Sequence, residues 1–204
     1  MSSVLPHLPP SDGEPAWEAA YLLPRQGRWS EEDFLKFHTN QMAELVSGRL
    51  EILPMPNLKH RRMLIWLLDL IRESTTSGPG GLVLLAPLPT KLFPGTIREP
   101  DLLYMMPGNV PGPEVDYPCR IDLALEVVSE GTEARKRDYD DKRLDYAKAG
   151  VTEYWIVDPQ DQIVSVLVLA GDYYIDHGCF KTGQIASGKL LPGLSVDVRL
   201  LMQV

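Results

Sequence analysis

Cysteine is nearly absent from this chain: Cys119 and Cys179 are the only two. They are far apart and match no metal-binding or disulfide spacing. No apolar run approaches the ~18 residues of a membrane span. The N-terminus begins Met-Ser-Ser-Val-Leu-Pro-His, with neither a basic start nor an apolar core. It therefore does not read as a signal peptide, and a cytoplasmic location is the expectation. Basic excess is missing as well: 20 Lys and Arg stand against 28 Asp and Glu, a net charge of −8. That argues against a non-specific nucleic-acid binder, whose affinity rests on many phosphate contacts. It leaves room for an enzyme with a local basic surface. Low-complexity and collagen-like segments are absent too, although 18 Pro and 16 Gly make loops plentiful.

What is present suits one soluble domain: 204 residues, 44% apolar and 24% charged. Residues 1–29 read as an N-terminal arm, because Pro6, Pro9, Pro10, Pro15 and Pro24 interrupt any helix. Ser30, with Asp33 three positions on, opens a short helix through a near capping box. Ser47-Gly48 between two apolar runs marks a hairpin over Met42–Leu53. Asn57 caps a helix to about Thr75 with a broad apolar face, and Gly78-Pro79-Gly80-Gly81 stops it. Leu82–Ala86 and Thr90–Phe93 form one bent strand or two. Asp101–Met105 follows as a strand. Asp122–Val128 is almost continuously apolar, as in a strand covered on both faces. Arg135–Ala149 is a helix ended by Gly150, and Tyr154–Val157 is the next strand. That strand–helix–strand order requires a partly parallel sheet. Ile163–Leu169, Tyr173–Ile175 and Leu194–Val198 are expected to form its antiparallel end.

Three carboxylates interrupt this pattern. Glu126 sits inside the apolar run and must be protonated, paired or metal-bound. Asp101 follows Pro100 at a strand start, where an ordinary turn is the competing explanation. Glu44 lies in the first hairpin and reads alone as a solvent-facing edge residue. Together they suggest a hard cation such as Mg²⁺, which needs only one to three carboxylates. Asp101 and Glu126 on adjacent strands are the candidate ligands. The cation would lower the pKa of a bound water and polarise a phosphodiester oxygen. Asp138, Lys142 and Tyr146 recur every four residues along one helix face. Lys142 is the candidate ammonium for charge stabilisation, unless it only forms an exposed pair with Asp138. Lys59-His60-Arg61-Arg62 places cationic side chains at a helix start, where the dipole favours anions. A phosphate held by His60, Arg61 and Arg62 would explain them, as would a solvated basic turn. His60 could instead carry a proton.

The stretch Glu126-Val127-Val128-Ser129, Thr132, Asp138, Lys142, Tyr146, Ala149-Gly150-Val151 and Glu153-Tyr154-Trp155-Ile156-Val157-Asp158-Pro159 resembles the signature of the Uma-type restriction endonuclease family. That family is a branch of the PD-(D/E)xK nuclease superfamily. Glu44-Leu45-Val46-Ser47-Gly48, His60, Pro100-Asp101 and Leu191-Pro192-Gly193-Leu194 resemble further pieces of it, so the match spans roughly residues 30–200. The resemblance implies a restriction-endonuclease-like α/β fold: a mixed β-sheet flanked by helices, as a single domain over residues 30–204. It implies Mg²⁺- or Mn²⁺-dependent phosphodiester hydrolysis in DNA, with Asp101 and Glu126 as metal ligands and Glu44 as a helper carboxylate. A homodimer would suit cleavage of both strands. The superfamily lysine two positions after the acid is missing, since Val128 stands there. Its role falls to Lys142, with Lys136 as competitor. The loop before Asp138 is about two residues longer than the family pattern. Glu130 replaces a Pro, Ala43 an aromatic and Arg49 an acid, and none of these changes removes a candidate ligand. The competing class is a nuclease-fold binding or interaction protein without physiological cleavage.

Overall fold

The computed structural model describes residues 22–37, 39 and 41–204. Most of the expected arm, residues 1–21, lies outside them. The last residues of that arm are described and dock onto the body. The Gly27 and Trp29 amides donate to Gly48 O, and Trp29 packs with Phe34, Leu45 and Ile97.

Helix α1 (Glu31–Lys36) starts with the full capping box: Ser30 Oγ accepts from the Asp33 amide, and Asp33 reaches back to the Ser30 amide. Strands β1 (Ala43–Val46) and β2 (Arg49–Ile52) form the hairpin. Ser47 and Gly48 both have positive φ, 50° and 74°, as the tight turn that matches strand twist demands. Helix α2 (Leu58–Thr76) is capped by Asn57, whose side chain accepts from the His60 amide.

The two candidate strands after α2 are separate and belong to different sheets. β3 (Leu82–Leu85) edges a six-stranded sheet, and β4 (Thr90–Phe93) edges a four-stranded one. β5 (Thr96–Arg98) bridges β4 and β1 in the smaller sheet, giving the order β2-β1-β5-β4. The larger sheet adds β6 (Leu102–Met105), β7 (Leu123–Val127), β8 (Glu153–Asp158), β9 (Ile163–Ala170) and β10 (Tyr173–Lys181), in the order β10-β9-β8-β7-β6-β3. β7 and β8 are parallel and the other pairs antiparallel. Between them run α3 (Thr132–Lys136), a widened π-type turn over Arg137–Asp141, and α4 (Lys142–Lys148). Gly150, at φ 79°, closes the helix. The Leu194–Val198 segment departs from expectation. β12 (Ser195–Asp197) pairs only with β11 (Ile185–Ser187), outside the large sheet, and Asp197 then caps α5 (Val198–Met202).

Period-2 alternation decides which face each β7 residue serves. Leu123, Leu125 and Val127 pack under α2 with Leu67, Ile71 and Trp155. Ala124 and Val128 face the opposite layer with Tyr146, Ala147 and Tyr154. Glu126 shares that second face, so it points towards the layer formed by α4. On β6, Leu102 and Tyr104 take the α2 side, and Leu103 and Met105 the α4 side. Asp101, immediately before β6, lies at the strand end, with its carboxylate 3.1 Å from His60 Nε2 of α2.

Candidate active site

The strand register joins the first two acids. β6 pairs with β7 as Leu102 with Leu125 and Leu103 with Ala124. Asp101 immediately precedes Leu102, so it lies beside the end of β7 that carries Glu126 and Val127. Both carboxylates are buried. The Val127 amide donates to Asp101 Oδ2 at 2.8 Å, which fixes that carboxylate at the strand end.

Helix α4 supplies the counterpart. Lys142 Nζ lies 2.7 Å from Glu126 Oε1 and 3.1 Å from Glu44 Oε1, with Asp138 Oδ1 at 3.9 Å. Lys142 is only 1% exposed, so it is not half of a surface pair. Tyr146, one turn on, donates its hydroxyl to the same Glu126 Oε1 at 2.7 Å. The π-type turn at Arg137–Asp141 immediately precedes Lys142; such turns rotate the residues that follow and recur at functional sites.

Glu44 is fully buried rather than an exposed edge residue. Its Oε2 accepts from Arg98 Nη1 at 2.7 Å, and its Oε1 from the Glu99 amide at 3.0 Å. Arg98 comes from the three-residue strand β5 and also donates through Nε and Nη2 to Asp145 Oδ2 on α4. The smaller sheet is thereby tied to the helix that carries Lys142. Sequence reasoning missed Arg98 and Glu99. The available signal was an Arg-Glu-Pro-Asp run immediately before a strand.

The basic turn at the start of α2 divides. His60 is buried, with Nε2 3.1 Å from Asp101 Oδ1 but outside hydrogen-bond geometry. Arg61 is half-buried and Arg62 exposed. Lys136 points to solvent, where it pairs with Asp141, and does not join the cluster.

Electrostatics sharpen this arrangement. Burial alone would raise the Glu44 pKa, but the Lys142 and Arg98 charges outweigh it and lower it to about 2. Burial raises Glu126 to about 8; Lys142 opposes the shift, while Asp101, Asp138 and Glu44 add to it. Burial, with the Glu44 charge, raises Glu99 to about 7. The Lys142 ammonium is penalised by burial, yet Glu126, Glu44 and Asp138 raise its pKa and keep it charged. Among the described residues no three His, Cys, Asp or Glu side chains form a ready metal-binding group. A two-carboxylate site completed by water and substrate oxygens is compatible with the same residues, and that is the mode Mg²⁺ prefers.

The architecture is a mixed α/β fold, with Asp101, Glu126 and Lys142 brought together at one end of the large sheet. The profile of the family described as "Uma2: Putative restriction endonuclease" matches residues 31–199. The chain belongs to that family. A crystal structure from Anabaena variabilis, titled as a "putative nuclease belonging to DUF820", has the same fold. It superposes with a TM-score of 0.68 at 18% identity, covering 85% of this chain and 97% of that one. No curated protein matches the sequence. Among the described residues no helix is long and apolar enough to cross a membrane.

Proposed function

We propose that the protein is a Mg²⁺- or Mn²⁺-dependent DNA endonuclease. The observation that carries this reading is the convergence on one cleft of Asp101 from the residue before β6, Glu126 from β7 and Lys142 from α4. Asp101 and Glu126 would hold the cation. When bound, the cation supplies a Lewis acid for a phosphodiester oxygen and acidifies a coordinated water.

The chain's own residues do the rest. Lys142 is a fixed ammonium beside Glu126, placed to stabilise negative charge as water oxygen attacks phosphorus and the P–O bond to the leaving oxygen breaks. Glu44 holds Lys142 from the opposite side and is itself held by Arg98, so it positions the ammonium. Tyr146 fixes the Glu126 carboxylate orientation. Arg61 and Arg62, with His60 behind them, sit where a backbone phosphate would approach the α2 N-terminus. A homodimer would present one cleft to each strand.

Plasmid nicking tests the reading. Mn²⁺ or Mg²⁺ should support cleavage, EDTA should abolish it, and Glu126→Gln should be folded but inactive. Cleavage by Glu126→Gln at the parent rate makes Glu126 structural. DNA binding by the parent without cleavage under any divalent cation favours the binding-protein class, to which the net charge of −8 would then belong.

A further inference from the structure

The catalytic cleft is narrow. The space among His60, Asp101, Glu126 and Lys142 is about 20 Å³, enough for little more than one water and far too small for a base. Beside it lies a separate pocket of about 350 Å³. Met42, Pro56 and Glu99 line both spaces, so the two share a wall. Phe37 and Tyr117 contribute aromatic rings to the larger pocket, and Arg61 contributes a cation. Glu99 is buried on the shared wall, and its Oε2 has no hydrogen-bond partner among the described residues. That oxygen needs a donor, because an unsatisfied buried acceptor is costly.

We propose that this pocket receives an unpaired nucleobase next to the phosphate in the catalytic cleft. The proposal rests on the nuclease reading above. Aromatic walls accept any base by stacking, since every base has a π-face. Glu99 supplies an acceptor for an amino or imino edge, as carboxylates do for cytosine N4. Arg61, which lines the larger pocket, supplies a cation for the adjoining phosphate. A paired duplex must first unpair and unstack a base to fill such a pocket, whereas a bulge, a flap or a single strand offers one at least cost. The substrate class is therefore nucleic acid with an unpaired base at the cleavage site.

The test uses binding in EDTA, so that it does not depend on cleavage. The probes are a duplex with one bulged 2-aminopurine and the same duplex with that base paired. The parent should bind the bulged probe about tenfold more tightly and quench its fluorescence. Tyr117→Ala should lose the preference, and Tyr117→Phe should keep it because the ring remains. Equal binding of the two probes by the parent, or a preference that survives Tyr117→Ala, overturns the proposal. Cleavage of the bulged duplex in Mn²⁺ separates the two claims: cutting of both duplexes without base preference sinks only the pocket, and base preference in binding without cutting of either duplex sinks only the nuclease reading.

Discussion

Lys142 Nζ stands 2.7 Å from Glu126 Oε1, delivered by the helix after the strand rather than by the strand itself. Val128 occupies the position, two after the acid, where the superfamily pattern has its lysine. Val128 shares the Glu126 face of the sheet. The α4 lysine thus brings its charge to the face on which the strand lysine would have stood. Removing it has two consequences. Lys142→Ala lowers the cleavage rate by about 10²-fold or more, the scale of one lost electrostatic contact. It also leaves Glu126, Glu44 and Asp138 without their ammonium, which costs about 3–5 kcal/mol of stability. Lys142→Arg rescues poorly, since a planar guanidinium does not fit a site built for a compact ammonium. Cleavage rate and thermal melting on one preparation check both parts. Full activity in Lys142→Ala contradicts the role.

Arg98 should behave as a keystone. It joins Glu44 on β1 to Asp145 on α4 through separate nitrogens of one guanidinium. Arg98→Lys cannot reproduce that fork. Breaking a buried pair on one side costs about 3–5 kcal/mol, which for a chain of this length means a Tm lower by roughly 6–20 °C. Differential scanning calorimetry reads the loss. A Tm within a degree of the parent would show that the network adds nothing to stability.

The acids make stability pH-dependent in two directions. Glu126 and Glu99 have pKa values raised to about 8 and about 7 from an ordinary 4.5. The folded protein keeps protons that the unfolded chain releases. Their contribution is complete below about pH 4.5 and is lost as pH rises through 7 to 8. Glu44, lowered to about 2, contributes above pH 4.5 and loses that contribution as pH falls towards 2. Without a divalent cation, Tm should fall between pH 5 and pH 8. Glu126→Gln should flatten that fall. Mn²⁺ should raise Tm more at pH 8 than at pH 5, because it binds deprotonated carboxylates. A metal effect larger at pH 5 would contradict the assignment.

Arg61 and Arg62 predict a salt effect. Replacing both by Ala should weaken DNA binding and reduce the slope of log affinity against log salt by up to about 2, close to one per phosphate contact. Fluorescence anisotropy over a salt series measures it. An unchanged slope returns the turn to an ordinary solvated surface.

Much of the site was legible because carboxylates in apolar strands are costly. Glu126 within Leu123–Val128 announced itself, and the 138-142-146 spacing placed Lys142 on the same helix face as Tyr146. Other features carried no periodic signal. β5 has three residues, too few to show alternation, so Arg98 and its neighbour Glu99 read as loop. The widened turn at Arg137–Asp141 has no distinct composition. β10 reaches Lys181 rather than Ile175 because a bulge at Asp176–Gly178 interrupts the alternation without ending the pairing. Glu44 looked exposed because its burial comes from Arg98 and α4, which are distant in sequence.

The central claim is that Asp101 and Glu126 hold one divalent cation. It is tested most directly by a crystal grown with Mn²⁺ and a non-cleavable oligonucleotide, measured at the manganese absorption edge. The account predicts one anomalous peak between these two carboxylates, within about 2.0–2.6 Å of an oxygen from each. A peak elsewhere in the protein, or none at this pair while the oligonucleotide occupies the cleft, would contradict it.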